Sequence, residues 1–144
     1  MTQADFKDLY VRELDNLHKE ISILDEGNLW KTAGEIKNSP GNLCLHLIGN
    51  INGFIGNIIG KTGYVRKRDE EFSLKNVPKE ELLESIAATK KMVEEVFDKM
   101  DADSLKEDFP VEILGKRNTE YMLAYFIGHF MYHLGQINYF RRMV

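Results

Sequence analysis

A single cysteine, Cys44, is all the sulfhydryl chemistry that 144 residues carry, so an internal disulfide framework is excluded. No apolar run approaches the roughly 20 residues of a membrane span, because Asn, Gly or His interrupts each apolar-rich stretch. The opening MTQADFKDLY has neither the basic start nor the apolar core of a secretory signal, which makes the cytoplasm the expected compartment. Positive charge is not in excess: 23 acidic against 19 basic residues give a net charge of −4. No basic stripe follows any face, so a nucleic-acid duplex is not the expected partner. Internal repeats, low-complexity tracts, phosphate loops, nucleophile elbows and dinucleotide fingerprints are absent as well. What is present is ordinary for a folded globular chain, with 43% apolar and 29% charged residues, and the length fits one domain spanning 1–144.

Four segments carry helical periodicity and none shows strand alternation. In the first, from about 4 to 24, Tyr10, Leu14, Leu17, Ile21 and Leu24 recur in steps of four and three, and Thr2 with Asp5 forms a capping-box signature. The second starts at Ser39-Pro40, an N-cap serine before a first-turn proline, and should end near Gly60. The third starts at Pro78 and runs to about Met100, with Leu82, Leu83, Ile86, Val93, Val96 and Phe97 on one face. The fourth starts near Asn118-Thr119 and continues to Arg141 and Arg142, which complement the negative end of the helix dipole. Connections at 25–38, 61–77 and 101–117 are longer than a minimal bundle needs. The expected architecture is all-α, a four-helix bundle with long connections.

The histidines carry the chemistry. His129 and His133 lie four apart, so both imidazoles leave one helix face a turn apart, amid Met122, Tyr125, Phe126, Gln136 and Phe140. Two rings in an aromatic stripe need partners, and two neutral imidazoles at this spacing chelate one ion well. A lone H-x-x-x-H is nonetheless a loose pattern, and a pair of satisfied core histidines is the plain reading. His46, on the second helix, is the natural third ligand. Asn42, Gly49, Asn50, Gly53, Asn57 and Gly60 all fall within about 60° of it at about 100° per residue. Such a face is either solvated, or admits a neighbouring backbone, or leaves room for a ligand, and periodicity does not choose. Asn50 would then lie in the wall of a substrate cavity. Gln136, one turn beyond His133, either orients a ring or ligand or is a buried amide. His18 reads as a rim residue, Glu13 as a remote candidate for a carboxylate base, and Tyr125 and Tyr132 as core packing.

The stretches NLCLHLIGN and GHFMYHLGQI, with their order and the long crossover between the second and third helices, resemble the DinB/YfiT-like superfamily of metal-binding four-helix bundles. The likeness covers nearly the whole chain, and H-x-x-x-H-x-G-Q is its most specific part. The resemblance implies one divalent ion (nickel, zinc or iron) held by His46 from the second helix and His129 and His133 from the fourth. It also implies activities of the superfamily's kind, which include thiol-dependent transferases using bacillithiol or mycothiol. Three neutral histidines leave a coordination position open, where water would acidify towards about pH 7 and a small-molecule thiol would bind as thiolate to attack an electrophile. A thiol-transferase-like or hydrolytic enzyme is the expected function; a non-catalytic, dimeric, metal-binding stress protein is the alternative.

The fourth helix raises a separate expectation. Tyr125, Phe126, His129, His133 and Phe140 occupy its core-facing arc, yet Leu123, Ile127, Phe130, Met131 and Leu134 form a second apolar arc. Ala124, Gly128 and Gly135 line a third strip of small residues. A helix apolar nearly all round is buried nearly all round, which points to a homodimer. The competing cover is the 101–117 connection, through Phe109, Val111, Ile113 and Leu114.

Overall fold

The computed structural model describes residues 1–144. Its long helices are α1 (Gln3–Ile23), α3 (Pro40–Ile51), α5 (Lys79–Lys99) and α6 (Thr119–Met143), with short α2 (Glu26–Leu29) and α4 (Arg68–Ser73) inside the first two connections. The caps are those the sequence signals. Thr2 and Asp5 exchange both capping-box bonds, Ser39 accepts from Asn42 N–H, and Asn118 accepts from Tyr121 N–H. No strand forms; one isolated bridge, Asp108 with Asn118, ties the last connection to the start of α6.

One continuous core of 28 buried apolar residues runs between α1, α3, α5 and α6. Tyr10 belongs to it and is 1% exposed; its hydroxyl donates to the Leu123 carbonyl at 2.6 Å, tying α1 to α6. At the far end, buried Glu20 of α1 accepts from Asn138 at 2.6 Å and from Arg141, so the same two helices are pinned at both ends.

The second helix departs from its expected course. Regular α geometry stops at Ile51, and Asn52–Ile59 is a π-helical segment. The Asn52 amide donates to the Ile48 carbonyl at 2.8 Å and to Thr89 of α5 at 2.9 Å, and Gly60 N–H reaches back five residues to the Ile55 carbonyl at 2.9 Å. Bonds of this longer reach wind the chain more loosely, so the 100° count fails past Asn52. Gly56 therefore faces Met92 and Gly60 faces Val96 of α5, while Asn57 caps the Gly63 N–H, and only Asn42, Gly49, Asn50 and Gly53 stay with His46.

The fourth helix also differs from expectation. Leu123, Ile127, Phe130 and Leu134 are buried inside this chain, so that arc is covered without a partner. Of the last connection, Leu105 and Phe109 enter the core, whereas Val111, Ile113 and Leu114 are exposed. Tyr125 and Tyr132 are not core residues: they are 40% and 66% exposed and join Tyr121, Met131 and Tyr139 on the outer face.

Candidate metal centre

His46, from the middle of α3, is 6% exposed, while His129 and His133 of α6 are half-buried. Their rings stand nearly perpendicular to one another, with centroids 5.0 Å (46–129), 5.2 Å (46–133) and 4.6 Å (129–133) apart. One nitrogen from each ring lies within 4.8 Å of the others, and His46 Nε2 is 3.1 Å from His129 Nε2. A zinc–imidazole bond is about 2.0–2.1 Å, so nitrogens this close suit a single shared ion. Phe72 closes one side of the His46 ring, with centroids 4.9 Å apart.

The outward nitrogens fix which atoms are free. His46 Nδ1 lies 3.0 Å from Glu71 Oε1, and His133 Nδ1 lies 2.7 Å from Gln136 Oε1. Both partners are acceptors, so both Nδ1 atoms carry the proton and both Nε2 atoms present a lone pair. Arg66 Nη2 also approaches His46 Nδ1, at 3.4 Å, but its shorter bond goes to Glu71. Neutral rings are what a cation requires. Burial, then the neighbouring histidines and arginines, lowers His129 to about 4; burial likewise lowers His133, against the opposing effect of Gln136.

Glu71 is the residue that sequence reasoning missed. It sits on α4, 6% exposed, and its carboxylate takes two bonds from Arg66, at 2.9 Å each, besides the one from His46. Burial raises its pKa, but the His46 and Arg66 bonds and charges outweigh that and hold it below the ordinary carboxylate value. Within YVRKRDEEF, nothing in the spacing separates Glu71 from Asp69 or Glu70. The nearest signal is the glycine opposite: a Cβ on Gly49 would meet Glu71 Oε2 at 1.8 Å, and one on Gly53 would meet Arg66 at 3.3 Å. Asn42 completes the docking by donating to the Glu71 and Leu74 carbonyls at 3.0 and 2.8 Å.

The small-residue face of α3 is thus filled by the crossover segment rather than left as a cavity, and Asn50 is buried, 7% exposed, instead of lining an open wall. Glu13 is not part of the centre: it lies on α1 beside Asn16 and Arg12. His18 is exposed near Ser22, and Cys44 is buried in the core with its thiol pKa pushed far up by desolvation. On the α6 side a groove of about 750 Å³ runs along His133, the one histidine of the three that lines it, with Gln136, Tyr132 and Tyr139, and is walled opposite by Ile36, Lys37 and Leu43.

The fold is that of the DinB-like helical bundles, and its three-histidine cluster fits a metal-binding protein. A DinB-like protein from Bacillus cereus superposes with a TM-score of 0.75 at 15% identity, over 99% of this chain and 94% of its own. A conserved protein from Enterococcus faecalis gives 0.78 at 13% identity, over 100% and 98%. Residues 4–144 match the family described as "Protein of unknown function (DUF1572)", and the chain belongs to that family. Among curated proteins, none matches.

Proposed function

We propose that this protein is a metal-dependent enzyme, thiol-transferase-like or hydrolytic, holding one divalent ion (nickel, zinc or iron) on the Nε2 atoms of His46, His129 and His133. The observation that carries the reading is the groove that opens on His133. A non-catalytic site is free to be sealed, whereas an enzyme needs a path by which substrate reaches the ion. When bound, a divalent cation supplies Lewis acidity there, acidifying water or a thiol near neutral pH. The chain's own residues do the rest. Glu71, ionised by Arg66, holds the His46 proton on Nδ1, and Gln136 does the same for His133. Tyr132 and the apolar wall of Leu43, Ile137 and Phe140 give an electrophile's organic body a surface to rest on.

The test pairs an assay with a blocked groove. Protein purified without added metal is screened with small thiols against halogenated, epoxide and activated-ester acceptors. In Gly135→Leu the new side chain enters the groove, because nothing lies within 4 Å of a Cβ at that exposed helical position. That variant should keep its metal and lose at least about tenfold in kcat/KM. Metal-loaded protein inactive on every acceptor, or unaffected by the substitution, would turn the reading towards the non-catalytic alternative.

No helix is long and apolar enough to cross a membrane, and we place the protein in the cytoplasm. We also retain the homodimer, on a different face from the one first expected: the outer strip of α6 away from the groove, where Tyr121, Tyr125 and Met131 are 40–50% exposed. Such a strip suits close approach of a second helix. Light scattering at micromolar concentration should give twice the 16.7 kDa chain mass, and Met131→Glu should return it to the monomer value; a monomer before substitution removes the dimer.

A further inference from the structure

Three buried side-chain polar atoms have no hydrogen-bond partner: Trp30 Nε1, Asn50 Oδ1 and His129 Nδ1. Trp30 packs its ring on Gly41, nine residues before Asn50 and about 13 Å along the helix at about 1.5 Å per residue, so it is not the partner of Asn50. The other two are carried by facing helices, and no hydrogen bond joins them in this structure. Leu43 and His133 line one groove, His46 meets His129, and Phe54 stacks on Phe126 with centroids 4.6 Å apart, so α3 and α6 run antiparallel past each other. Asn50 lies between His46 and Phe54 on one helix, and His129 lies between Phe126 and His133 on the other. Helical side chains lean towards their own N-terminus. In this antiparallel pair, Asn50 leans towards the level of His46 and His129, and His129 leans towards the level of Asn50.

The tautomers make the pairing chemically specific. The proton of His46 is on Nδ1, held by Glu71, so the 3.1 Å contact between His46 Nε2 and His129 Nε2 has two compatible occupants. Either His129 keeps its proton on Nε2 and donates it to His46, or both nitrogens face a cation. In the first case His129 Nδ1 is a bare acceptor, and Asn50 Oδ1 is another acceptor; no bond forms between them. In the second, the proton is on His129 Nδ1 and Asn50 Oδ1 accepts it.

We propose that Asn50 is the positioning residue for His129: its Oδ1 accepts the Nδ1 proton and so selects the tautomer whose Nε2 faces the ion. Each of the three histidines then has its own acceptor, Glu71, Gln136 and Asn50 respectively. This rests on the metal reading above, and the experiment separates the two. Zn²⁺ affinity is measured by chelator competition for the unsubstituted protein, Asn50→Leu and Asn50→Asp. Asn50→Leu removes the acceptor at similar size and should weaken Zn²⁺ about 10–100-fold, while Asn50→Asp, which keeps an acceptor oxygen, should stay within about threefold. In the Zn²⁺-loaded unsubstituted protein, NMR should show a slowly exchanging Nδ1 proton on His129, absent from Asn50→Leu. Equal affinity in the Leu variant, or a His129 Nδ1 proton in free exchange with water, overturns the role of Asn50. No Zn²⁺ binding by the unsubstituted protein overturns the metal reading itself. The NMR result stands even if Asn50→Leu fails to fold.

Discussion

His133→Ala should take the protein from near one divalent ion per chain to near none, read by elemental analysis after purification without added metal. His133 supplies one of only three nitrogens that converge within 4.8 Å, and no Cys, Asp or Glu stands in the cluster to replace it. Loss of an outer hydrogen-bond partner costs about 10–100-fold in metal affinity, and loss of a donor atom costs more. The ring is half-buried at the wall of an open groove, so alanine leaves space that water fills and the bundle keeps its fold. Acid should reach the same end in the unsubstituted protein. With His129 lowered to about 4 and His133 lowered as well, both rings are neutral at pH 7 and compete with protons only in acid. The ion should be retained at pH 6 and released as pH falls towards 4. The sign for folding runs the same way: between the unfolded value near 6.5 and the folded one, the unfolded chain binds more protons, so metal-free protein loses stability as pH drops through that window. Metal content unchanged in His133→Ala would exclude these ligands.

Gly49→Ala should be the most damaging single methyl in the molecule. The new Cβ would stand 1.8 Å from Glu71 Oε2 and 2.6 Å from its Cδ. This carboxylate is not a loose side-chain end that swings aside, because Arg66 grips it twice and His46 once. Displacing it leaves a buried imidazole N–H and a guanidinium short of their acceptor. Overpacking costs about 1–3 kcal/mol and an unmatched buried polar group about as much again, so the variant should lose about 1–5 kcal/mol in chemical denaturation once the roughly 1 kcal/mol of helix propensity gained by alanine is subtracted. Its ion affinity should fall about 10–100-fold, as for any lost support of a ligating histidine. Gly128→Ala is the control: nothing lies within 4 Å of its Cβ, and about 0.8–1.0 kcal/mol of helix propensity should be gained. A Gly49→Ala protein as stable as the parent would show that Glu71 is not seated as described.

The two glycines differ in nothing that a sequence pattern records. Each lies in a helix beside a histidine-bearing turn, yet one receives a carboxylate and the other faces solvent. The same limit applies to the fourth helix, where the arc of Tyr125, Phe126, His129, His133 and Phe140 reads as core-facing and that of Leu123, Ile127, Phe130, Met131 and Leu134 as one that needs a partner or a loop to cover it. Packing against α1 and α3 buried Leu123, Ile127, Phe130 and Leu134 and left Tyr125 and Tyr132 outside. An all-round apolar helix has no preferred face until its neighbours choose one.

What the sequence by itself determined is what depends on neighbours along the chain. Capping by Thr2, Ser39 and Asn118, the stripe through Tyr10, Leu14, Leu17 and Ile21, and the four-residue step from His129 to His133 are local geometry, set by 1.5 Å of rise and 3.6 residues per turn. The meeting of His46 with that pair, 83 residues from His129, was suggested by its place on a second helix of the bundle and by the resemblance, not by any local spacing. Tertiary structure alone decided the rest. The π segment starts at Asn52, whose side chain bonds Thr89 on another helix, and along it Gly56 and Gly60 face α5 rather than the centre. Helix α4 sits on the face of Asn42, Gly49 and Gly53 because that face offers amide donors and vacant volume to a segment whose own charges need partners. Glu71 and Arg66 thereby become part of a site to which no periodicity assigned them, since burying a charge is favourable only where its counter-charge and hydrogen-bond partners are already waiting in space.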